Sequence, residues 1–441
     1  MEQVKMRKST GRISRAKIKA FFQHQDFVFW RAVMLGIMLL LMLIMFLSVM
    51  LVEPISVTVG DMLGTKSKIE TLRFIGIIMG GVFAVIAATV FNHRTAVQIE
   101  NNKLIEKGHI NERFGSATEN LGNENSTVRI SAFYQFYYLA KDQPDNNFRQ
   151  SIFEILCSCL RSMPRNKSHS TGEDGEEYPT AECQTLLNIL FDSKYCTVFD
   201  DNGFDPDLQR ANLINANLPD ANLSNANLSG ANLSNARLTA VNLSGAKLWR
   251  TNLSNAWLLV ADLSNAYFSD ANLSNACLLD ANLSNAYLSD ANLSKTNFSR
   301  ANLSDANLSD ANLSDANLSD ANLSSTNLSK TNFSGANLSD ANLSDANLSK
   351  TNFSRANLSD ANLSDANLSD ANLSDANLSD ANLQRTQLKG TNLMKVRSIR
   401  NADFRGTKID GRPITKNDLP ADKGEYYADW NPPPKKEESK V

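Results

Sequence analysis

The sequence predicts a multidomain protein: a two-helix transmembrane hairpin, a small all-α domain, and a long square coil built from five-residue repeats. Three observations carry this prediction. Two uncharged apolar runs lie at residues 32–52 and 74–91, apolar residues recur at helical spacing within residues 92–198, and a Leu or Phe stands at every fifth position from 208 to 393. At 441 residues the chain is long enough for about three domains of ordinary size.

The first apolar run, residues 32–52, contains 21 residues without a charge. A helix of this length is about 31 Å long, which matches the hydrocarbon core of a bilayer. The second run, residues 74–91, contains 18 uncharged residues. A cleaved signal peptide is the competing interpretation of the first run, but that run is too long, starts late and lacks a small-residue cleavage site. We therefore expect both runs to span the membrane as a hairpin, residues 32–91.

Basic residues set the expected orientation of this hairpin. Residues 1–31 form a basic arm with seven Lys or Arg before residue 20, whereas the loop between the runs carries three basic and three acidic side chains. The positive-inside rule then places both termini in the cytoplasm of a bacterial inner membrane, with the lipid bilayer as one partner. Gly76 and Gly80 form a GxxxG pattern that would let the two helices of the hairpin approach closely.

Residues 92–198 are expected to form a helical cytoplasmic domain. Apolar residues recur at spacings of three and four from residue 110 to 121, which indicates one face of a helix. Ser126 or Thr127 is expected to cap the next helix, and the polar segment 162–180, rich in Pro, Gly and Ser, is expected to be a linker. The five cysteines are scattered and odd in number, which favours reduced thiols in a cytosolic compartment over a disulfide framework.

From residue 208 to 393 a Leu or Phe occupies every fifth position without a slip, which makes 38 consecutive repeats. Ala or Thr stands two residues before nearly every one of them. A period of five fits neither the 3.6 residues of a helical turn nor the alternation of an ordinary strand. It fits a square coil in which each five-residue side ends in a turn, with the apolar residues inside and Asn side chains forming ladders along the coil.

Repeats such as ANLSN, ANLSD, ADLSN and TNFSR closely resemble those of the pentapeptide-repeat family. The resemblance implies a right-handed quadrilateral β-helix over residues 205–411, with four repeats per coil and a central column of Leu or Phe. Thirty-eight repeats then make about nine and a half coils, a rod roughly 45 Å long at the usual spacing of β-strands. Residues 109–160 are more loosely similar to the helical segment that precedes the repeats in membrane-anchored bacterial members of the family.

Six residues of the rod replace the usual Asn or Asp in front of the Leu or Phe, a position that the family points outward, and two more stand beside them. Because residues 20 apart would stack on neighbouring coils, the six form one column at positions 247, 267 and 287 and another at 237, 257 and 277. Exposed aromatic residues beside Arg are typical of binding hot spots; neutral drift at a tolerant, solvated position is the alternative. The candidate partner-binding face consists of Arg237, Lys247, Trp249, Arg250, Trp257, Tyr267, Cys277 and Tyr287.

Residues 301–380 are nearly uniform in sequence and acidic, with 11 Asp against three Lys or Arg. This resembles members of the family that mimic duplex DNA and bind a type II topoisomerase, so an acidic inhibitor of a DNA-acting enzyme is the alternative function. Regular Asp on a solvated face more commonly serves solubility, and the charge is weaker than one phosphate per about 1.7 Å of duplex. The segment 293–305 recurs at 348–360, an offset that is not a multiple of 20 and moves the copies to other faces.

The end of the repeat region predicts a cap. The register breaks at Ser398 and resumes one residue later, which is typical of a terminal capping coil. Residues 412–441 read as a disordered tail, with docking of Tyr426, Tyr427 and Trp430 on the end of the rod as the alternative.

No catalytic, cofactor-binding or metal-binding residues are expected. Neither His nor Glu occurs between residues 208 and 393, so the many serines there lack a base for nucleophilic catalysis. The sequence thus predicts a non-enzymatic, membrane-tethered scaffold whose protein partner binds either the candidate face of the rod or the helical domain. A second copy of this chain is also a candidate partner, and nucleic acid is not expected as one.

Overall fold

The computed structural model describes most of the chain. The described residues are 33, 35–37, 39–40, 42–44, 64–163, 169–171, 177–192, 198–199, 203–420 and 425–428. They belong to two compact units, residues 1–101 and residues 102–441.

Two apolar helices occur in the first unit. Helix α1 spans Leu35–Ile44, apart from residues 38 and 41, which lie outside the described residues. Helix α2 spans Gly64–Leu121 and contains 58 residues, so one continuous helix includes both the second predicted span and the helix expected at residues 110–121. By length and composition, one helical stretch of the described residues, Gly80–Leu121, could cross a membrane. Most of the first predicted span lies outside the described residues, so the hairpin remains a prediction.

Three shorter helices follow in the second unit: α3 (Ser126–Asp142), α4 (Asn146–Ser162) and α5 (Ala181–Phe191). Each begins after a residue whose side chain accepts a hydrogen bond from a backbone N–H of the first turn; these residues are Asn125, Asp145 and Thr180. Such caps satisfy donors that a helix leaves unpaired at its start. The cap of α3 is therefore Asn125, one residue before the expected Ser126 or two before Thr127.

The segment 162–180, expected to be a linker, contains a two-stranded antiparallel hairpin. Strand β1 (His169–Thr171) pairs with β2 (Glu177–Pro179), and Ser170 lies opposite Tyr178. Strands of three residues are too short to show the alternation by which strands are recognised in a sequence. Because β2 leads directly into the cap of α5, the hairpin holds Tyr178 and Pro179 beside the start of that helix.

The helices of the second unit are joined by aromatic contacts and by a buried ion pair. The ring of Phe114 on α2 lies 5.3 Å from that of Phe136 on α3 and 6.1 Å from that of Phe148 on α4. The guanidinium of Arg129 donates to both carboxylate oxygens of Glu182 on α5, with an Nε–Oε1 distance of 2.6 Å. Arg129 also donates to two backbone carbonyls at 2.7 Å. These bonds offset the desolvation of two buried charges and fix α5 against α3.

The repeats form a rod of four-sided coils. The residue before each central Leu or Phe pairs in parallel with the residue 20 positions later, from Asp207 with Asn227 to Asn367 with Gln387. Two backbone hydrogen bonds recur at each pairing; in one example the N–H of Leu213 donates to Asn232 at 2.7 Å and the N–H of Asn232 donates to Ala211 at 2.9 Å. The predicted stacking of residues 20 apart is confirmed.

The core of the rod consists of the two apolar positions of each repeat. The central Leu or Phe and the small residue two positions before it are buried throughout residues 208–393. Where Thr replaces Ala, its hydroxyl finds an acceptor one coil below: Thr251 donates to the carbonyl of Leu228 and Thr351 to that of Leu328, both at 2.8 Å. A buried hydroxyl therefore costs the core no unpaired polar group.

Each repeat ends in a left-handed residue. From position 210 to 385 the fifth residue of the repeat has φ between 55° and 62° wherever it is not glycine. Asn and Asp adopt this conformation several-fold more readily than other non-glycine residues, and Gly adopts it freely. The regular Asp of residues 301–380 therefore stands at turns whose backbone favours that residue, a reason for the acidity that the sequence pattern alone did not supply.

The helical domain covers the open edge of the first coil. The side-chain amide of Gln184 on α5 donates to the carbonyl of Asn217 at 2.9 Å and accepts from its N–H at 3.3 Å, so it takes the place of a preceding strand. On another side, Arg161 of α4 donates to the carbonyl of Asp207 at 3.2 Å and forms an ion pair with its carboxylate. An uncovered edge would be a template for association.

The opposite end of the rod has its own cap. After a 3₁₀ turn at Leu393–Lys395 the pairing offset becomes 21 residues, with Asn377 opposite Ser398. Strand β3 (Ala402–Asp403) pairs in parallel with β6 (Tyr426–Tyr427), and β4 (Lys408–Ile409) pairs with β5 (Arg412–Pro413) in an antiparallel hairpin. Part of the segment expected to be disordered thus docks on the last coil, as in the alternative; Trp430 lies outside the described residues.

Candidate partner-binding surfaces

The four faces of the rod are numbered from the central residues of the first coil. Face 1 contains Leu208 and every twentieth residue after it, and faces 2, 3 and 4 begin in the same way at Leu213, Leu218 and Leu223. Both predicted columns exist as stacked neighbours. Positions 247, 267 and 287 pair in succession on face 1, and positions 237, 257 and 277 pair in succession on face 3.

These two columns do not form a single surface. Faces 1 and 3 are separated by ten residues, which is two sides of a four-sided coil, so they lie on opposite sides of the rod. The candidate face with eight members therefore divides into two groups. Sequence reasoning combined them because they are interleaved along the chain, although interleaving in a square coil separates residues in space.

Between residues 231 and 295 the repeats alternate in character. Repeats on faces 2 and 4 keep Asn or Asp before the Leu and Ser after it, whereas the six intervening repeats on faces 1 and 3 all have another residue before the Leu or Phe. Neutral drift at equivalent solvated positions would affect all four faces alike. The resulting ten-residue period is visible in the sequence, but an analysis confined to the five-residue period does not show it.

An Asn at each of the replaced positions would form hydrogen bonds within the rod. Asn272 shows the usual arrangement: its Oδ1 accepts from the N–H of Ser274 at 3.2 Å, and its Nδ2 donates to Asn252 on the coil below at 3.2 Å. Arg, Lys and Trp have no side-chain acceptor with which to repeat the first bond. The six positions on faces 1 and 3 thus exchange a local stabilising contact for a side chain directed at solvent, which is typical of a binding surface.

On face 1 the side chains form an aromatic stack, which we call the face 1 patch (Lys247, Trp249, Tyr267 and Tyr287). The rings of Tyr267 and Tyr287 are parallel to within 2° with centroids 5.0 Å apart, and Trp249 meets Tyr267 edge-on at 6.1 Å. Arg250, at the adjacent corner, lies 3.7 Å from the carboxylate of Asp270. Because the rings of the two tyrosines stack on each other, the patch offers mainly ring edges to a partner.

On face 3 the replacements are more apolar. Trp257 is 59% exposed, and Leu259 and Leu279 occupy the position after the central Leu where Ser is usual. Val260 is 61% exposed with φ of 57°, a conformation that a β-branched residue rarely adopts. We call this group the face 3 patch; its members are Arg237, Trp257, Leu259, Val260, Cys277 and Leu279. Sequence reasoning missed Leu259, Val260 and Leu279, although their departure from Ser, Asn and Asp was readable in the repeat.

The face 3 patch borders a cleft that the helical domain completes. Tyr178 and Pro179 of β2 and Gln184 of α5 face Arg237 and Trp257 across a space of about 650 Å³. The hairpin was not expected from the sequence, so neither was this cleft. Its formation joins two recognition sites that the sequence presented as alternatives, the rod and the helical domain.

The acidic half of the rod has a different surface. Several of its corner Asp residues pair with a basic residue one coil away: Lys330 lies 3.3 Å from Asp310, and Arg385 lies 2.6 Å from Asp365. The Arg385 guanidinium, by hydrogen bonding, holds the pKa of Asp365 below its usual value. At one corner four carboxylates stack in succession, Asp320, Asp340, Asp360 and Asp380, and within the described residues the last of these pairs with Arg400 at 3.4 Å.

The described residues give one close approach between α1 and α2. An added Cβ at Gly36 would lie 3.7 Å from Ile86. A Cβ added to Gly76 or Gly80 would meet nothing within 4 Å among the described residues. Because most of the first predicted span lies outside those residues, packing at Gly76 and Gly80 stays a prediction.

Buried thiols in the helical domain are poor nucleophiles. Burial raises the pKa of Cys157 and of Cys183 to about 12 and that of Cys159 to about 11. The thiolate is the reactive form of cysteine, so at neutral pH these side chains act as small apolar groups. No cluster of His, Cys, Asp and Glu able to hold a metal ion occurs within the part of the chain that the structure describes.

Comparison with known proteins identifies the repeat. The family described as Pentapeptide repeats matches in 8 copies, over residues 207–245, 246–280, 281–320, 316–355 and 356–394. The solved structure of HetL, a pentapeptide repeat protein involved in heterocyst differentiation regulation from the cyanobacterium Nostoc sp. strain PCC 7120, is 33% identical over 50% of this chain and 98% of that chain, with a TM-score of 0.31. This chain belongs to the pentapeptide-repeat family. Its rod is accordingly a right-handed β-helix.

Other solved pentapeptide-repeat structures are similar over part of the chain. Rfr23 from the cyanobacterium Cyanothece 51142 is 32% identical over 26% of this chain and 85% of that one, with a TM-score of 0.20. QnrB1, a plasmid-mediated fluoroquinolone resistance protein, is 23% identical over 42% of this chain and 89% of that one, with a TM-score of 0.24. No curated protein matches the chain.

Proposed function

We propose that this pentapeptide-repeat protein is a non-enzymatic scaffold, tethered to the bacterial inner membrane, whose rod binds a protein partner. One observation carries the proposal: between residues 231 and 290 the exposed aromatic, basic and apolar side chains are confined to two of four equivalent faces. Aromatic residues and Arg are enriched among the residues that dominate binding energy at protein interfaces.

The architecture of the rod suits such a role. Backbone hydrogen bonds link each coil to the next, and both ends are capped, by the helical domain at one end and by β6 at the other. A stacked solenoid of this kind holds its surface side chains at fixed spacing without the need for a partner. Little side-chain or backbone ordering is then needed on binding, which favours affinity.

Membrane attachment is supported by the sequence and by helix α2. Its stretch Gly80–Leu121 meets the length and composition requirement of a spanning helix, and basic residues precede the first apolar run. In this proposal the residues before residue 32 and all residues after residue 91 lie in the cytoplasm, which places the rod there.

The experiment that tests the scaffold role uses full-length tagged protein purified from bacterial membranes. In one variant the repeats at 211–300 are rewritten as plain ANLSD; the matched control keeps these repeats and changes the Asp residues of 301–380 to Asn. Partners recovered with the native chain and with the control, but not with the rewritten variant, are the expected result. Recovery of the same partners with the rewritten rod would transfer recognition away from faces 1 and 3.

The alternative function, an acidic mimic of duplex DNA, is favoured by one feature, the column of four stacked Asp residues between positions 320 and 380. Inhibition of a type II topoisomerase at low salt, measured as DNA supercoiling, tests it. The control variant with Asn at 301–380 should lose the inhibition if mimicry is the function. Equal activity of the topoisomerase with and without the native chain removes the alternative.

A further inference from the structure

The cleft beside the face 3 patch has an unusual lining for a protein that carries charges at most of its corners. Of the described residues that line it, only Arg237 is charged; the others are aromatic, proline or uncharged polar side chains. Trp257 and Tyr178, which is 43% exposed, supply the aromatic surfaces. From this lining we propose that the cleft binds an extended, acidic peptide segment of the partner, with a carboxylate on Arg237 and an apolar side chain against Trp257.

The charge of the cleft lining favours a carboxylate as the group bound by Arg237. Within the described residues Arg237 takes part in no ion pair, whereas Arg250 on face 1 is close to Asp270 and Arg300 donates two hydrogen bonds to Asp280 at 2.7 Å. A guanidinium offers a planar fork of donors that matches a carboxylate in two-point contact. Because uncharged groups surround it in a partly enclosed cleft, the attraction is screened less than at an open surface.

The size of the cleft favours an extended peptide segment as the ligand. A volume of about 650 Å³ accommodates a few residues of peptide rather than a folded element. The wall of the cleft also carries the side-chain amide of Asn235, whose oxygen and nitrogen can bond a peptide backbone.

Beside the cleft, Leu259 and Val260 follow Trp257 in the same repeat, and Leu279 lies one coil beyond Leu259. Val260 keeps a strained, exposed conformation where Asn, Asp or Gly would be more stable. Such strain is commonly retained where a side chain contacts a ligand. We therefore assign the apolar side chain of the peptide to this surface, next to Trp257.

This assignment rests on the proposed scaffold function and adds the site and the chemistry of the partner. The test uses the full-length chain in lipid nanodiscs and a phage-displayed library of random 12-residue peptides. The enriched peptides are then synthesised and their affinities measured by fluorescence anisotropy. The rod offers matched variants: Arg237→Asn and Trp257→Asn on face 3, with Lys350→Asn and Arg355→Asn in the uniform half as controls. Each introduces a residue that the repeat itself uses at that position, so the fold is maintained.

We expect acidic residues to be enriched beside an apolar residue in the selected peptides. Arg237→Asn should weaken their binding at least tenfold and Trp257→Asn about thirtyfold, with little change in either control. Replacing the peptide's Glu by Gln should give the same loss as Arg237→Asn, and the two changes together should give no further loss.

Three results would overturn the assignment: no enrichment over a chain whose repeats at 211–300 are rewritten, peptides without an acidic residue, or equal losses in the controls of the uniform half. A fourth is concentration-dependent self-association of the chain abolished by Trp257→Asn, which makes a second copy the occupant. In each of these cases the scaffold function is decided separately, because partner recovery with the rewritten chain tests faces 1 and 3 together and not the cleft alone.

Discussion

The two halves of the rod share one backbone and differ in what they present to solvent. In residues 208–300 faces 1 and 3 carry aromatic, basic and apolar side chains; in residues 301–380 all four faces repeat the same polar residues. Both halves bury the same two positions of each repeat and end each side in a left-handed residue. The backbone is therefore specified by three of five positions, while the second and fourth positions vary with face in residues 208–300 and stay Asn and Ser in residues 301–380.

Removal of one whole coil should give the largest difference in partner binding between the two halves of the rod. Deletion of 241–260 and deletion of 341–360 both keep the order of faces, so both chains should fold. The first removes residues of both patches and should abolish partner binding; the second should leave it unchanged. Partner recovery from membranes is the measurement, with circular dichroism to show that the β-helix persists. Equal loss in the two deletions would contradict a division of roles.

Core substitutions should affect the two halves equally. Leu263 and Leu343 are both fully buried on face 4, two coils before and two coils after position 303. Replacing either by Ala should lower the free energy of unfolding by about 3 kcal/mol, because each leaves a comparable cavity. Hydrogen exchange of the flanking coils reports the local cost. A difference of more than about 1 kcal/mol between the two would mean that packing, as well as surface chemistry, separates the halves.

The cap at the first coil should matter more than any surface contact of the helices. Gln184→Ala removes both hydrogen bonds to the edge of Asn217 and should destabilise the first coil by about 1–3 kcal/mol. Gln150→Ala is the matched control, since that amide meets the exposed Glu154 on its own helix. Faster hydrogen exchange at residues 211–225 in the first variant alone is the expected result. Unchanged exchange there would show that the edge is held by other contacts.

Relief of the backbone strain at Val260, at the corner of face 3, should produce the smallest change in stability. Val260→Asn should raise the free energy of unfolding by about 1 kcal/mol, because Asn accepts positive φ more readily. Asp340→Val, at the same corner in the uniform half, should lower it by a similar amount. Thermal denaturation of the two variants gives the signs. A Val260→Asn variant that is less stable than the native chain would show that Val260 is kept for packing rather than for binding.

The sequence was sufficient to predict the fold of the repeats, but it was insufficient to predict the cap and the cleft beside them. A Leu or Phe at every fifth position fitted a square coil, and the resemblance to pentapeptide repeats, which implies four repeats per coil, predicted the stacking of residues 20 apart. The placement of the two columns on opposite sides of the rod follows from the same geometry, but its prediction required the order of the four faces around the coil. The Gln184 cap and the cleft at Tyr178 could not be predicted, since both depend on a hairpin of three-residue strands whose polar sequence is that of a linker.

Apolar helices show a similar limit. Hydropathy located residues 74–91 in a helix but gave no sign that the helix would continue to Leu121. The GxxxG spacing of Gly76 and Gly80 stays a prediction, because most of the first span lies outside the described residues; the contact that the described residues show is at Gly36. Small residues show where helices are able to approach; the partner's position decides where they do.

The central claim is that recognition depends on which face a repeat occupies. The most direct test exchanges each variable repeat between residues 236 and 290 with the constant repeat that follows it. Composition, length and the set of core residues are unchanged, but the aromatic and basic side chains move from face 1 to face 2 and from face 3 to face 4. Partner recovery from membranes by this variant, compared with the native chain, is the measurement. We expect the partner to be lost; its full retention would show that faces 1 and 3 are not the recognition surfaces.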